Sequence, residues 1–150
     1  MTKPINNYRE SYLENLTLDT HVLIWYAEGI KLTEKQINLI EKAREKGALY
    51  ISAISIWEIS LLASKNKMAF SISITEWVDK LLSTPGLNLI ALSVPILIQS
   101  CELPNYEHRD PADRLIIAST RFINSHLMTY DQKIIDYANN GYLKIANSDY

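Results

Sequence analysis

Residues 16–29 read LTLDTHVLIWYAEG, in which a short apolar strand runs directly into a helix. Periodicity and capping preferences predict the strand over residues 16–19 and the helix over residues 20–28. Gly29 ends this helix, because glycine readily takes the left-handed conformation common at a helix C-terminus. The stretch is therefore the first β-to-α step of the chain.

The same alternation of strands and helices continues to the C-terminus. Further strands are predicted at residues 48–53, 88–92 and 126–130, with residues 143–146 as a candidate fifth strand. Helices are predicted in the intervals, at residues 33–47, 55–64, 77–82, 93–103, 110–123 and 132–139. Because strands separated by helices pair in parallel, the expected fold class is α/β: a three-layer α/β/α sandwich with a central parallel sheet of four to five strands.

The composition is that of one globular domain. The chain has 150 residues, of which 47% are hydrophobic and 21% charged. Residues 1–15 are polar and lack periodicity, so we expect an N-terminal arm before a domain of residues 16–150. A net charge of -2 argues against a broad basic surface for nucleic acid.

Cysteine usage and hydropathy bear on the compartment. A lone Cys101 cannot form an internal disulfide, and the N-terminus lacks the pattern of a signal peptide. The longest apolar stretch, residues 87–98, is shorter than the ~20 residues that span a bilayer. We therefore expect a soluble, cytoplasmic protein with no membrane partner.

Four carboxylates follow apolar stretches and open helix-like segments: Asp19, Glu58, Asp113 and Asp131. Each has a local explanation, because acidic side chains favour the first turn of a helix. Ser55 and Glu58 match a capping box, and Asp110 with Asp113 resembles one. Taken singly, each acid is as readily explained by capping as by function.

Taken together, the acids have a second explanation, since positions that follow parallel strands gather at one edge of the sheet. Carboxylates about 5 Å apart repel by roughly 3 kcal/mol per pair at an effective dielectric of 20. Such a cluster needs cations or protons to persist. Ligands that are all oxygen suit Mg²⁺ or Mn²⁺ rather than zinc. The acids therefore predict a site for hard divalent cations.

Four segments of the chain resemble the PIN domain family of metal-dependent ribonucleases: residues 18–21, 57–59, 110–118 and 129–131. The third segment, DPADRLIIA, is the most specific of them. More narrowly, the chain is similar to the VapC-type toxins of bacterial toxin–antitoxin pairs. The resemblance runs from about Leu16 to the C-terminus, and the arm before Leu16 departs from the usual family pattern.

The resemblance implies a PIN-like fold and a Mg²⁺- or Mn²⁺-dependent endoribonuclease whose catalytic and metal-binding acids are Asp19, Glu58, Asp113 and Asp131. It implies an RNA substrate, transfer RNA being a common target, and it implies a cognate antitoxin protein and a homodimer. Thr129 would be the small polar residue that family members often carry near the fourth acid. Asp110 would cap a helix rather than bind metal.

Two alternatives remain open at this point. One is a catalytically silent PIN-fold module that only binds protein partners. The other is an aspartyl phosphotransfer enzyme with Asp19 as nucleophile, although that chemistry usually places a second acid two residues on, where this chain has His21.

Several other polar and aromatic residues have competing interpretations. His21 is either a substrate contact or a polar helix residue beside the site. His108 and His126 are expected at the surface or at a strand edge. Core packing is favoured over base stacking for Trp25, Trp57 and Trp77. The best candidates for phosphate contacts are Arg109, Arg114, Lys65 and Lys67.

Overall fold

The computed structural model describes residues 15–68 and 70–146, so the expected N-terminal arm lies outside the described residues except for Asn15. Within these ranges five strands alternate with seven helices. In chain order they are β1 (Leu16–Leu18), α1 (Thr20–Glu28), α2 (Glu34–Glu45), β2 (Leu49–Ser52), α3 (Ala53–Ser64), α4 (Ile74–Leu82), β3 (Leu87–Ile90), α5 (Val94–Cys101), α6 (Pro111–Phe122), β4 (His126–Met128), α7 (Gln132–Asn139) and β5 (Lys144–Ile145). No helix of the described part is both long and apolar enough to cross a membrane.

The five strands form one parallel sheet in the order β3-β2-β1-β4-β5. The predicted α/β class with a parallel sheet is confirmed, and the candidate fifth strand is present at its edge. β1 is central, and its Leu18 pairs with Ile51 of β2 on one side and Met128 of β4 on the other. The chain builds outward from β1 through β2 to β3 and then returns to place β4 on the other side of β1. Parallel sheets bind ligands where the strand order reverses in this way, so the carboxyl ends of β1 and β4 mark the expected crevice.

Helices cover both faces of the sheet, which gives the three layers. Successive strand residues point to opposite faces, so Leu127 and Met128 of β4 enter different cores. One core joins strand residues such as Leu18 to α1 and α2, and the other joins Leu127 to α5, α6 and α7. β1 and β4 are buried on both faces, so even the polar Thr17 between Leu16 and Leu18 is fully buried.

The start of α3 differs from the prediction. Ser52 is the N-cap, and its Oγ accepts a hydrogen bond from the backbone N–H of Ile54 at 3.3 Å. Ser55 is therefore a buried residue inside the helix, and the interpretation of Ser55 and Glu58 as a capping box is wrong. The apolar run from β2 into α3 has no break in hydropathy, so periodicity alone places this boundary poorly.

The environment of His126 also differs from the prediction. His126 lies in β4, between β1 and β5, and only 4% of the residue is exposed. Burial lowers its pKa, and the nearby charge of Lys144 adds to that effect. The expectation of a surface or strand-edge residue is wrong, because the edge position of this sheet is taken by β5.

The turn before β3 requires glycine. Gly86 has a φ of +86°, and a Cβ at this position would lie 1.8 Å from the backbone oxygen of Arg44 near the end of α2. The close approach of two backbones leaves no room for a side chain. This contact fixes the end of α2 against the start of the edge strand β3.

Candidate active site

A cavity of about 440 Å³ opens at the carboxyl edge of the sheet. Its walls come from the first turns of α1, α6 and α7 and from the middle of α3. All four acids singled out from the sequence line it: Asp19, Glu58, Asp113 and Asp131. The strand order thus brings to one cavity side chains that lie far apart along the chain.

Protein donors hold both carboxylate oxygens of Asp19. It is the N-cap of α1 and only 4% exposed. Its Oδ1 accepts the backbone N–H of Thr20 at 2.8 Å, and its Oδ2 accepts the hydroxyl of Thr129 at 2.6 Å. A carboxylate has about four acceptor positions, so Asp19 retains free lone pairs toward the cavity.

Glu58 is held by a chain of two hydroxyl groups. The Thr20 hydroxyl donates to Glu58 Oε1 at 2.5 Å, and Thr20 Oγ1 also lies 2.8 Å from Ser55 Oγ. A hydroxyl has a single proton, so in this arrangement Ser55 donates to Thr20. Ser55 therefore has a role that the sequence interpretation missed. The available sequence clue was its place three residues before Glu58, which puts both side chains on one face of α3.

The fourth acid, Asp131, is tied to the first through Thr129. The backbone N–H of Asp131 donates to Thr129 Oγ1 at 3.0 Å, while the Thr129 hydroxyl donates to Asp19. Asp131 Oδ1 accepts the backbone N–H of Lys133 at 2.9 Å and so caps α7. Thr129 is fully buried, as its position between β4 and α7 requires.

Burial and neighbouring negative charge raise the pKa of two of these acids. Burial raises the pKa of Asp113 to about 6, the charges of Asp110 and Asp131 add to this, and Lys133 at 3.5 Å opposes it. Burial likewise raises the pKa of Glu58, against the hydrogen bond from Thr20. Acids whose pKa is raised by burial and by neighbouring carboxylates form the kind of cluster that a cation neutralises.

Replacing Asp113 with asparagine is expected to stabilise the metal-free protein at about pH 7.5. Because the folded-state pKa is raised from 3.8 to about 6, the free energy of unfolding falls as the pH rises through that window. Asp113→Asn removes this cost. We expect the substitution to raise the free energy of unfolding by about 1–3 kcal/mol at neutral pH and to make that free energy depend less on pH between about pH 4 and 6. Urea unfolding in chelator at several pH values measures both effects. A variant less stable than wild type near pH 7.5 would contradict the expectation.

The donor set of the cavity suits hard divalent cations, since carboxylates predominate among its ionisable groups and His21 is the one imidazole among the described lining residues. Within residues 15–68 and 70–146, however, no three His, Cys, Asp or Glu side chains are close enough together to hold one ion. The carboxylates suit a cation by their chemistry and because they line one cavity. Binding requires side-chain rotations that bring them closer together.

The rim of the cavity includes an exposed tryptophan. Trp57 lies on α3 next to Glu58 and is 55% exposed, so the expectation that it packs in the core is wrong. Trp25 and Trp77 are partly buried. Ile24, Leu61 and Leu62 continue the apolar wall beside Trp57. The cavity therefore combines an acidic floor with an apolar side.

The basic residues have different environments from one another. Arg114 donates to the backbone oxygens of Ser100, Tyr106 and His108 at 3.0, 2.6 and 2.7 Å, so its guanidinium holds the loop before α6. The expectation that Arg114 meets phosphate is wrong, because Arg114 does not line the cavity and each of its three guanidinium nitrogens donates to a backbone oxygen. Arg109 is exposed, and so are Lys65 and Lys67. Asp110 accepts the N–H of Asp113 at 3.1 Å and caps α6, as the capping interpretation has it.

Comparison with known proteins gives the family. The sequence model of the PIN domain matches residues 16–140. The ribonuclease VapC22 of Mycobacterium tuberculosis (strain ATCC 25618 / H37Rv) is 28% identical over 123 residues, which is 81% of this chain and 91% of that protein.

Solved structures share the fold. A chain in the crystal structure of VapBC2 from Rickettsia felis, bound to a promoter DNA fragment, superposes with a TM-score of 0.65 at 20% identity, covering 88% of this chain and 97% of that one. A chain in a toxin–antitoxin complex from Klebsiella pneumoniae gives a TM-score of 0.56 at 21% identity, with coverage of 79% and 88%. With the family model matching from β1 to the end of α7, the chain belongs to the PIN domain family.

Proposed function

We propose that this protein is a metal-dependent endoribonuclease and the toxin of a toxin–antitoxin pair. Asp19, Glu58, Asp113 and Asp131 are its catalytic acids and its ligands for Mg²⁺ or Mn²⁺. The observation that carries the proposal is the convergence of these four acids, from four separate elements, on one cavity where the strand order reverses.

The charges of the site indicate what the cation and the protein each contribute. A bound divalent cation activates water and stabilises negative charge on a phosphate undergoing hydrolysis. The protein holds Asp19 through Thr20 and Thr129, and it holds Glu58 through Thr20. Without a cation the acidic floor repels an RNA backbone, so cation and substrate binding are coupled. The exposed Arg109 stays a candidate for a phosphate contact beside the cavity.

The relatives support the substrate and the partner. VapC22 is named a ribonuclease, and the Klebsiella structure is a toxin–antitoxin complex. We propose by the same likeness that RNA is the substrate, with transfer RNA or another structured RNA as the target. A cognate antitoxin blocks the cavity, and the protein acts in the cytoplasm as a homodimer.

Incubation of the purified chain with a transfer-RNA pool tests the proposal. We expect cleavage that requires added Mg²⁺ or Mn²⁺ and that stops when a chelator is added. Expression of the chain alone is expected to arrest growth, and co-expression of the adjacent gene is expected to relieve the arrest. Metal binding without RNA cleavage would instead favour a silent protein-binding module, and radiolabelled phosphate trapped on Asp19 would favour phosphotransfer.

A further inference from the structure

The turn that carries Asp131 is held from a second side by His21. His21 lies in the first turn of α1, and its Nε2 accepts the backbone N–H of Tyr130 at 2.9 Å. These two residues are 109 positions apart in the chain. The bond spans the crevice between the carboxyl ends of β1 and β4, the same crevice that the link from Asp19 through Thr129 to Asp131 crosses.

This hydrogen bond indicates which nitrogen of the His21 ring carries the proton. Because Nε2 accepts a hydrogen bond, the ring in this structure is the neutral tautomer with its proton on Nδ1. Nδ1 lies 3.7 Å from Asp19 Oδ2, beyond hydrogen-bonding distance. The principal polar contact of His21 is therefore with the turn, not with the first acid.

Aromatic packing fixes the orientation of the ring. The centroid of His21 lies 5.2 Å from that of Trp25 and 6.1 Å from that of Tyr130, and the two partner rings are 5.1 Å apart. The Tyr130 hydroxyl donates to Gln36 Oε1 of α2 at 2.6 Å. Tyr130 is thus anchored at its backbone by α1 and at its hydroxyl by α2.

We propose that His21 is a positioning residue that sets the place of Asp131 relative to Asp19 through its hydrogen bond to the Tyr130 backbone. The proposal rests on the proposed function only in taking Asp131 as a cation ligand. A backbone amide anchored one residue before the ligand restricts the dihedral angles that aim its carboxylate. Residues that orient metal ligands in this way typically change metal affinity by 10- to 100-fold when they are lost.

Two substitutions separate the hydrogen bond from the packing. His21→Phe keeps an aromatic ring against Trp25 and Tyr130 but has no acceptor. His21→Gln loses the ring but places an amide oxygen near the former position of Nε2. If His21 positions Asp131, the glutamine variant retains function and the phenylalanine variant loses it. If the ring acts only by packing, the phenylalanine variant retains function and the glutamine variant loses it.

The experiment measures Mn²⁺ binding to the full chain by calorimetry and amide hydrogen exchange of Tyr130 in the metal-free protein. We expect His21→Phe to weaken Mn²⁺ binding by at least about tenfold and to speed exchange of the Tyr130 amide by at least about tenfold. His21→Gln is expected to stay within about threefold of wild type in both. His108→Phe, the same change at an exposed histidine that does not line the cavity, serves as the matched control and is expected to bind Mn²⁺ like wild type.

The outcomes distinguish this proposal from the proposed function. Equal Mn²⁺ affinity in wild type and His21→Phe overturns the positioning role, as does equal weakening in the phenylalanine and glutamine variants. Absence of Mn²⁺ binding by the wild-type protein overturns the metal assignment itself. In that case the rates of Tyr130 amide exchange in metal-free wild type, His21→Phe and His21→Gln still decide whether His21 holds the turn.

Discussion

Asp19→Asn and Asp113→Asn are each expected to reduce metal-dependent RNA cleavage by at least about a hundredfold. In the proposed site each change removes one of the negative charges that would neutralise a divalent cation. Loss of a direct ligand costs at least as much as the 10- to 100-fold seen for residues that merely orient ligands. Both side chains line the cavity, and both substitutions preserve side-chain shape. Single-turnover cleavage of a labelled transfer RNA at saturating Mn²⁺ measures the effect.

The control is the same chemical change at a distant surface position. Asp79 is an exposed residue of α4, and it does not line the cavity. Asp79→Asn is expected to cleave RNA like wild type. Because Asp113→Asn is also expected to gain stability near neutral pH, loss of activity in that variant cannot be assigned to unfolding. Full activity in both Asp19→Asn and Asp113→Asn would refute the catalytic assignment.

Arg114→Met is expected to lower the free energy of unfolding by about 3 kcal/mol or more. The guanidinium of Arg114 bonds three backbone oxygens, and its Cζ lies 5.3 Å from the ring centroid of Tyr106. Hydrogen bonds that involve a charged group contribute roughly 1.5–3 kcal/mol each, and partial exposure reduces their sum. Methionine fills part of the volume but leaves those oxygens without their donor. Urea unfolding monitored by circular dichroism measures the change.

Two further variants test the cause of that loss. Arg114→Lys keeps the charge but lacks the planar fork that reaches three acceptors, so it is expected to recover only part of the lost stability. Arg109→Met removes an exposed arginine five residues earlier and is expected to change stability by less than about 0.5 kcal/mol. Equal stability of Arg114→Met and wild type would show that the loop before α6 does not depend on this side chain.

Much of the fold could be predicted from local patterns. The step from β1 into α1 and the left-handed Gly29 appear in the structure, and the helix predicted from residue 33 begins there, with Thr33 and Gln36 forming a capping box. These features depend on preferences that act over a few residues. The start of α3 was misplaced because strand and helix there share one apolar run, and a local pattern cannot separate them.

The residue types of the candidate site were also apparent from the sequence, but their environments were not. By its spacing Trp57 fits the apolar face of an amphipathic helix, and only the tertiary structure shows that it lines the cavity. Arg114 is a candidate for a phosphate contact by sequence, yet its side chain bonds the loop carbonyls. Spacing along one helix fixes neither the direction nor the partner of a long side chain.

The sequence by itself determined the α/β class, the parallel sheet and the four acids at the ends of apolar stretches, because periodicity and helix-capping are local properties. Only the tertiary structure decided that Ser55 bonds Thr20 across 35 positions and that His21 holds Tyr130 across 109. Those contacts arise from the strand order, which sets β4 beside β1 after most of the chain has intervened. Packing of distant elements, rather than any local preference, gives these polar side chains their partners.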